Sequence, residues 1–245
     1  MKSASRGLAV RLLLLGVLIL TAPAWAQNKP PISEEIAKAY GLYSWDKIDQ
    51  IRYTFNIDLP GLFKVSRSWT WEPKTGRVSY DGPDKQGKPV KVTYLRSQLS
   101  SQDAVVKEQV DPAFNNDQYW LIFPFHQLWD SGAKVEDTGK QKLPLGKGTA
   151  DRVVVSYGAE LGGYTPGDTW TLFVGPEKRV QEFVYHRGGS MKPTVVTMTW
   201  SGYKMAGPLL VSTDHRGNAD GKPGRIFFTN VAVKLAGSND WVDAK

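Results

Sequence analysis

"IRYTFNIDLPGLFKVSRSWTWEPKTGRVSY", residues 51–80, decides the fold. Ile51, Tyr53, Phe55 and Ile57 alternate with Arg52, Thr54, Asn56 and Asp58, so one face of an extended chain is apolar and the other polar. Val65, Arg67, Trp69 and Trp71 repeat that period after Pro60-Gly61, and "EPKTGRV" reads as the next hairpin. The same pattern continues in "RVSYDG" and "VKVTYL", separated by the turn-rich "DGPDKQGKP". It returns in "DRVVVSYG", "DTWTLFVG", "RVQEFVYHR", "TVVTMTW" and "GRIFFTNVAVKL". Nine or more short strands joined by hairpin-like turns predict an antiparallel meander, strongly curved or barrel-like.

Two segments break the period of two. "NKPPISEEIAKAYGLYSWDKIDQ" reads as helix, with Ser33 as N-cap and Ile36, Ala39, Tyr40 and Tyr43 on one face. Gly41 ends or bends that helix, and Ser44 caps a short second turn. "DPAFNNDQYWLIFPFHQLWDSG", residues 111–132, is the second. Asp111 as N-cap with Pro112 at the first helical position starts a helix, Asn116 or Asp117 is placed to cap a further piece, and Pro124 predicts a kink. Its apolar residues run nearly all the way round, so the helix must be covered on every side. In a one-sheet protein the natural cover is the hollow of the sheet.

The chain begins with Lys2, Arg6 and Arg11, an apolar run from Leu12 to Leu20, and Ala24-Trp25-Ala26. That order predicts a secretory signal peptide over residues 1–26, cleaved after Ala26, and a periplasmic destination for residues 27–245. The chain contains no cysteine, so its core must hold without disulfides. The whole chain carries +7, of which the leader's three basic residues account for three, leaving +4. The charges are scattered, which argues against a nucleic-acid groove and fits at most a transient contact with an anionic membrane or envelope protein.

Ser201-Gly-Tyr-Lys204 and Lys74-Thr75-Gly76 imitate the motifs of serine acyl-transfer enzymes. Their order is reversed, and Ser201 is expected in a turn after a strand rather than at a helix start. His126, His186 and His215 lack metal-ligand spacing. "DHRGNADGKPG" would place Arg216 and Phe227 at the ends of a calcium loop, so it reads as a long polar hairpin turn. Neither a metal nor a cofactor is implied.

The N-terminal helix, the strand "IRYTFNI" and then "SRSWTWEPKTGRVSY" together resemble the start of periplasmic carrier proteins of the LolA/LolB-like superfamily. The mid-chain helical insert followed by "TWTLFVGPEKRVQEFVYH" resembles that family too, and the likeness is to exported members outside its dedicated carriers. The resemblance implies a mainly β protein, one unclosed antiparallel half-barrel over residues 27–245, with helices plugging a hollow that holds acyl chains. The family's carriers place a lid-latching arginine just before the turn proline, whereas Glu72 precedes Pro73 here. The reading is therefore a non-enzymatic, monomeric carrier for a hydrophobic ligand, lipid or lipidated protein. Tyr53, Phe55, Trp69, Trp71 and Trp200 are expected in the ligand-binding wall, with Trp120, Phe123, Phe125 and Trp129 in the plug or lid. The rivals are an envelope hydrolase and an interaction protein whose barrel is filled by its own side chains.

Overall fold

The computed structural model describes residues 29–61, 63–159, 166–189 and 194–245. The leader and its cleavage site lie outside the described residues. A first helix, α1 (Pro31–Ala39), and a 3₁₀ turn over 42–47 precede four strands, β1 (Ile48–Leu59), β2 (Phe63–Glu72), β3 (Arg77–Pro83) and β4 (Pro89–Leu95). After the helical insert with α2 (Asp111–Trp129) come β5 (Ala133–Lys142), β6 (Thr149–Tyr157), β7 (Thr169–Val174), β8 (Val180–His186) and β9 (Val195–Thr199). Last are β10 (Ser201–Ala206), β11 (Leu209–Ala219), β12 (Lys222–Leu235) and β13 (Trp241–Asp243).

All the pairings are antiparallel, and one sheet runs β4-β3-β2-β1-β12-β11-β9-β8-β7-β6-β5, with β10 added to β11 and β13 to β12. Strands β4 and β5 are the two edges and do not pair, so the curved sheet stays unclosed. The nine strands expected from periodicity are present, and β5, β10, β11 and β13 add to them. The chain leaves the sheet at edge β4, runs through the hollow as α2, and re-enters at edge β5. A gap between two edges is what lets a helix enter the sheet's interior.

Burial follows chemistry. Phe114 of α2 packs against Trp69 and Trp71 at ring distances of 5.4 and 5.6 Å. On the other side, Phe123 stacks on Trp170 at 4.1 Å, and Trp120 meets Trp170, Phe183 and Tyr185. The helix is thus covered from both halves of the sheet, as an all-round apolar segment requires. Its break falls at Ile122 (φ −122°, ψ 21°), two residues before Pro124.

Several local expectations are corrected. Helix α1 starts at Pro31, because a proline at the first helical position needs no donor, and Ser33 lies inside it, buried, with its Oγ unpaired among the described residues. Tyr43 is largely exposed, outside the apolar face. The second helical run begins at Ala104, passes through a π turn (Val106–Val110) and continues into α2, so Asp111 is already helical. The N-cap is Asp103, whose Oδ1 accepts the Val106 N–H at 2.9 Å. Asp117 caps nothing either, since the helix runs straight through it. The segment around residue 220 is not a long loop: β11 and β12 meet at Asp220-Gly221, both with positive φ, the two-residue turn that Asp-Gly favours.

Candidate functional site

The hollow is filled around the C-terminal half of α2. Phe125 stacks on Trp129, and Trp45 of the 3₁₀ turn touches Phe125, Trp129 and Trp71 at 4.7–5.9 Å. Tyr40 closes this end, its hydroxyl bonded to Tyr203 and accepting the Val180 N–H.

Around the N-terminal half of α2 the hollow is open. A cavity of about 850 Å³ lies between α2 and the ends of β7, β8, β9, β11 and β12, within the size of small-molecule sites. Trp120, Trp170, Val196, Met198 and Ile226 form its apolar wall. The helix contributes Pro112, Asn115, Asn116 and Tyr119, the i, i+3, i+4, i+7 stripe of one face. At the rim stand Phe63, Asp168, Arg187 and Lys222. Across the same half-helix lies a second cavity of about 520 Å³, walled by Val65, Tyr80 and Val110 and sharing Ile57, Phe63, Pro112 and Asn116 with the first.

Electrostatics fix the helix between these spaces. Arg67, on the inner face of β2, donates from Nε and Nη2 to both oxygens of Asp117 at 2.7 and 2.6 Å, and Trp69 Nε1 adds a third bond at 2.8 Å. Burial pushes the Asp117 carboxyl up, against the opposing pull of Arg67, Asn116 and Trp69. Asp111 is held by Tyr94 and Arg96 at 2.8 and 3.0 Å. A basic residue thus ties sheet to helix through Arg67, five residues before Glu72, although the position before Pro73 holds an acid. Beside the second cavity, burial pushes the Tyr80 phenol up to about 12.

Of the nine residues expected to meet ligand, Trp120 lines the larger cavity, and none of the other eight lines either one. Trp69 hydrogen-bonds Asp117. Tyr53 and Phe55 pack on Phe228. Trp200 packs on His215 and Phe183. Trp71, Phe125 and Trp129 gather on Trp45 in the filled end, and Phe123 lies beneath Trp170. The sequence reading missed Tyr185, Met198, Ile226 and the wall role of Trp170. Period-two alternation would have found part of this: Trp170 and Tyr185 are cross-strand partners whose rings lie 4.7 Å apart.

Ser201 opens β10 rather than sitting in a turn, and its hydroxyl donates to the Asp214 carbonyl at 2.7 Å. Lys204 lies three residues on along the strand, which puts the two side chains on opposite faces. The one-turn helical spacing that S-x-x-K chemistry needs is not made by these residues. Among the described residues no group of three or more acidic, histidine or cysteine side chains gathers to hold a metal.

Among the solved structures similar to this chain are two that share little of its sequence. One is a LolA superfamily protein from Nitrosomonas europaea, 7% identical, with a TM-score of 0.43, covering 81% of this chain and 92% of that one. The other is the lipoprotein LppX from Mycobacterium tuberculosis, 8% identical, with a TM-score of 0.30, covering 86% and 98%. No family model matches the chain, and no curated protein matches it.

Proposed function

We propose that this protein is an exported carrier that binds a hydrophobic ligand, a lipid or the acyl chains of a lipidated protein, in the cavity beside the N-terminal half of α2. One observation carries this reading: a space of about 850 Å³, the larger of the two beside this half-helix, is walled by Trp120, Trp170, Met198 and Ile226 and open at a polar rim. An apolar wall of that size is costly to leave in water and favours an apolar occupant. Trp120 is the contact from α2, and the remaining expected aromatics support it from the core.

The test is displacement of a fluorescent acyl probe from delipidated protein, together with native mass spectrometry of protein purified from its own host. Saturable probe binding and a co-purified lipid are expected. The filled end favours a second reading, an interaction protein whose barrel is occupied by its own side chains. Failure of delipidated protein to bind any acyl probe would decide for it.

A further inference from the structure

The rim of the larger cavity carries two cations and two carboxylates, and the two kinds differ in how they are engaged. Its two cations, Arg187 and Lys222, are exposed and form no ion pair among the described residues. Its two carboxylates are committed. Asp168 is 7% exposed, accepting the Gly188 N–H at 2.7 Å and the Tyr185 hydroxyl at 3.0 Å. Asp220 accepts the Val195 N–H at 2.7 Å. Both carboxylates therefore brace the strand ends, Asp168 buried and Asp220 at the surface, while the donors of the two cations face solvent at the mouth. Deeper in the wall, Trp170 is buried, its Nε1 shielded from solvent and without an acceptor among the described residues.

Resting on the carrier reading above, we propose that the cavity selects an anionic amphiphile. Its phosphate or carboxylate head is held at the mouth by Arg187 and Lys222, and its chain lies along Trp120, Met198 and Ile226. Arg187 supplies a planar fork suited to two head oxygens, and Lys222 a point charge.

The experiment uses matched pairs of competitors against a neutral fluorescent acyl probe on the full chain: oleate against oleyl alcohol, and oleoyl lysophosphatidate against monoolein. The charged member of at least one pair should displace the probe at about tenfold lower concentration, and that preference should shrink as salt is raised. Which pair shows it identifies the head as carboxylate or phosphate. Arg187→Gln/Lys222→Gln should abolish the preference by weakening the charged members of the pairs. Both residues are exposed, so the fold should survive. Equal displacement within both pairs, or a preference that outlives the double variant, would overturn the proposal while leaving the carrier reading intact. Displacement by inorganic phosphate alone would also overturn it, because the mouth would then be a plain anion site. Loss of all probe binding in the wild type would defeat the carrier reading itself.

Discussion

The two halves of α2 share one helix and one sheet, yet one half is sealed and the other is not. At the C-terminal half, Trp45 reaches in from the 3₁₀ turn and fills the space beside Phe125 and Trp129. At the N-terminal half, the helix turns Asn115, Asn116 and Tyr119 towards the sheet, and the space remains. The first half is held by area and shape, the second by charge, through Arg67 and Asp117. Apolar surface that finds a partner becomes core, and apolar surface that does not becomes a site.

The largest effects should separate these two means of attachment. Phe125→Ala empties a packed position and should cost about 3–5 kcal/mol in denaturant unfolding, with the affinity of the remaining folded protein for an acyl probe unchanged. Asp117→Leu strands the Arg67 guanidinium and should cost about 3–5 kcal/mol as well. Unlike the Phe125 loss, it should be largely reversed by adding Arg67→Leu, because two apolar side chains replace a desolvated pair at little cost. A double variant as unstable as Asp117→Leu would show that the open half depends on the ion pair for more than neutralisation.

Between the two ends lies His215, fully buried against Trp200 and Phe183, with Nδ1 bonded to the Thr199 carbonyl at 3.2 Å. Burial lowers its pKa to about 4. An unfolded histidine takes up its proton near pH 6.5. Between those values the unfolded chain binds a proton that the fold refuses, so stability is lost as pH falls from about 6.5 to 4. The loss should be about 3 kcal/mol in all. His215→Gln should remove that slope from the pH dependence of chemical unfolding, whatever its effect at neutral pH. An unchanged slope would mean that the imidazole is not kept neutral.

Trp120→Ala should separate the ends by function. Trp120 packs on Trp170, Phe183 and Tyr185 but also borders the cavity, so part of its packing is already missing. Its loss should cost less stability than Phe125→Ala, about 2 kcal/mol, while probe affinity falls by about tenfold. A large destabilisation with unchanged binding would make Trp120 core, and the open end would lose its wall.

The strands were legible because a half-buried strand writes its burial at a period of two, as Ile51, Tyr53 and Phe55 do. A helix covered by the hollow of the sheet was legible through the all-round apolar run 120–129, whereas the unclosed arrangement came only as what the family resemblance implied. The site was much less so. Aromatic residues report burial, and sequence cannot say whether a buried ring meets protein or empty space. Trp45 decided that at the filled end from outside the expected set. The clue at the open end was polar: Asn115 and Asn116 lie in the polar N-terminal half of the helix and line the space the sheet leaves there. Arg67 was readable as inward by alternation with Trp69 and Trp71, but its partner, fifty residues away, was not.

The smallest effects concern the starts of the two helices, one at each end. Asp103 accepts the Val106 N–H and opens the helical run that carries the cavity stripe. Asp103→Ala should therefore cost about 1 kcal/mol, and it should speed amide exchange at Val106, the donor left free. At the filled end, Ser33 occupies an interior helical position with a buried, unpaired hydroxyl. Ser33→Ala removes that unsatisfied group and improves helix propensity, so stability should stay level or rise by up to about 1 kcal/mol. Gln127 Nε2 would still donate to the Ser33 carbonyl, 2.7 Å away in the wild type, so the packing of α1 on α2 is kept. If the two alanines behaved the other way round, Ser33 would be capping α1 and Asp103 would not be capping the run into α2. The anchoring of the helix at the open end would then rest on the packing of Phe114 and on the side chains that hold Asp111 and Asp117.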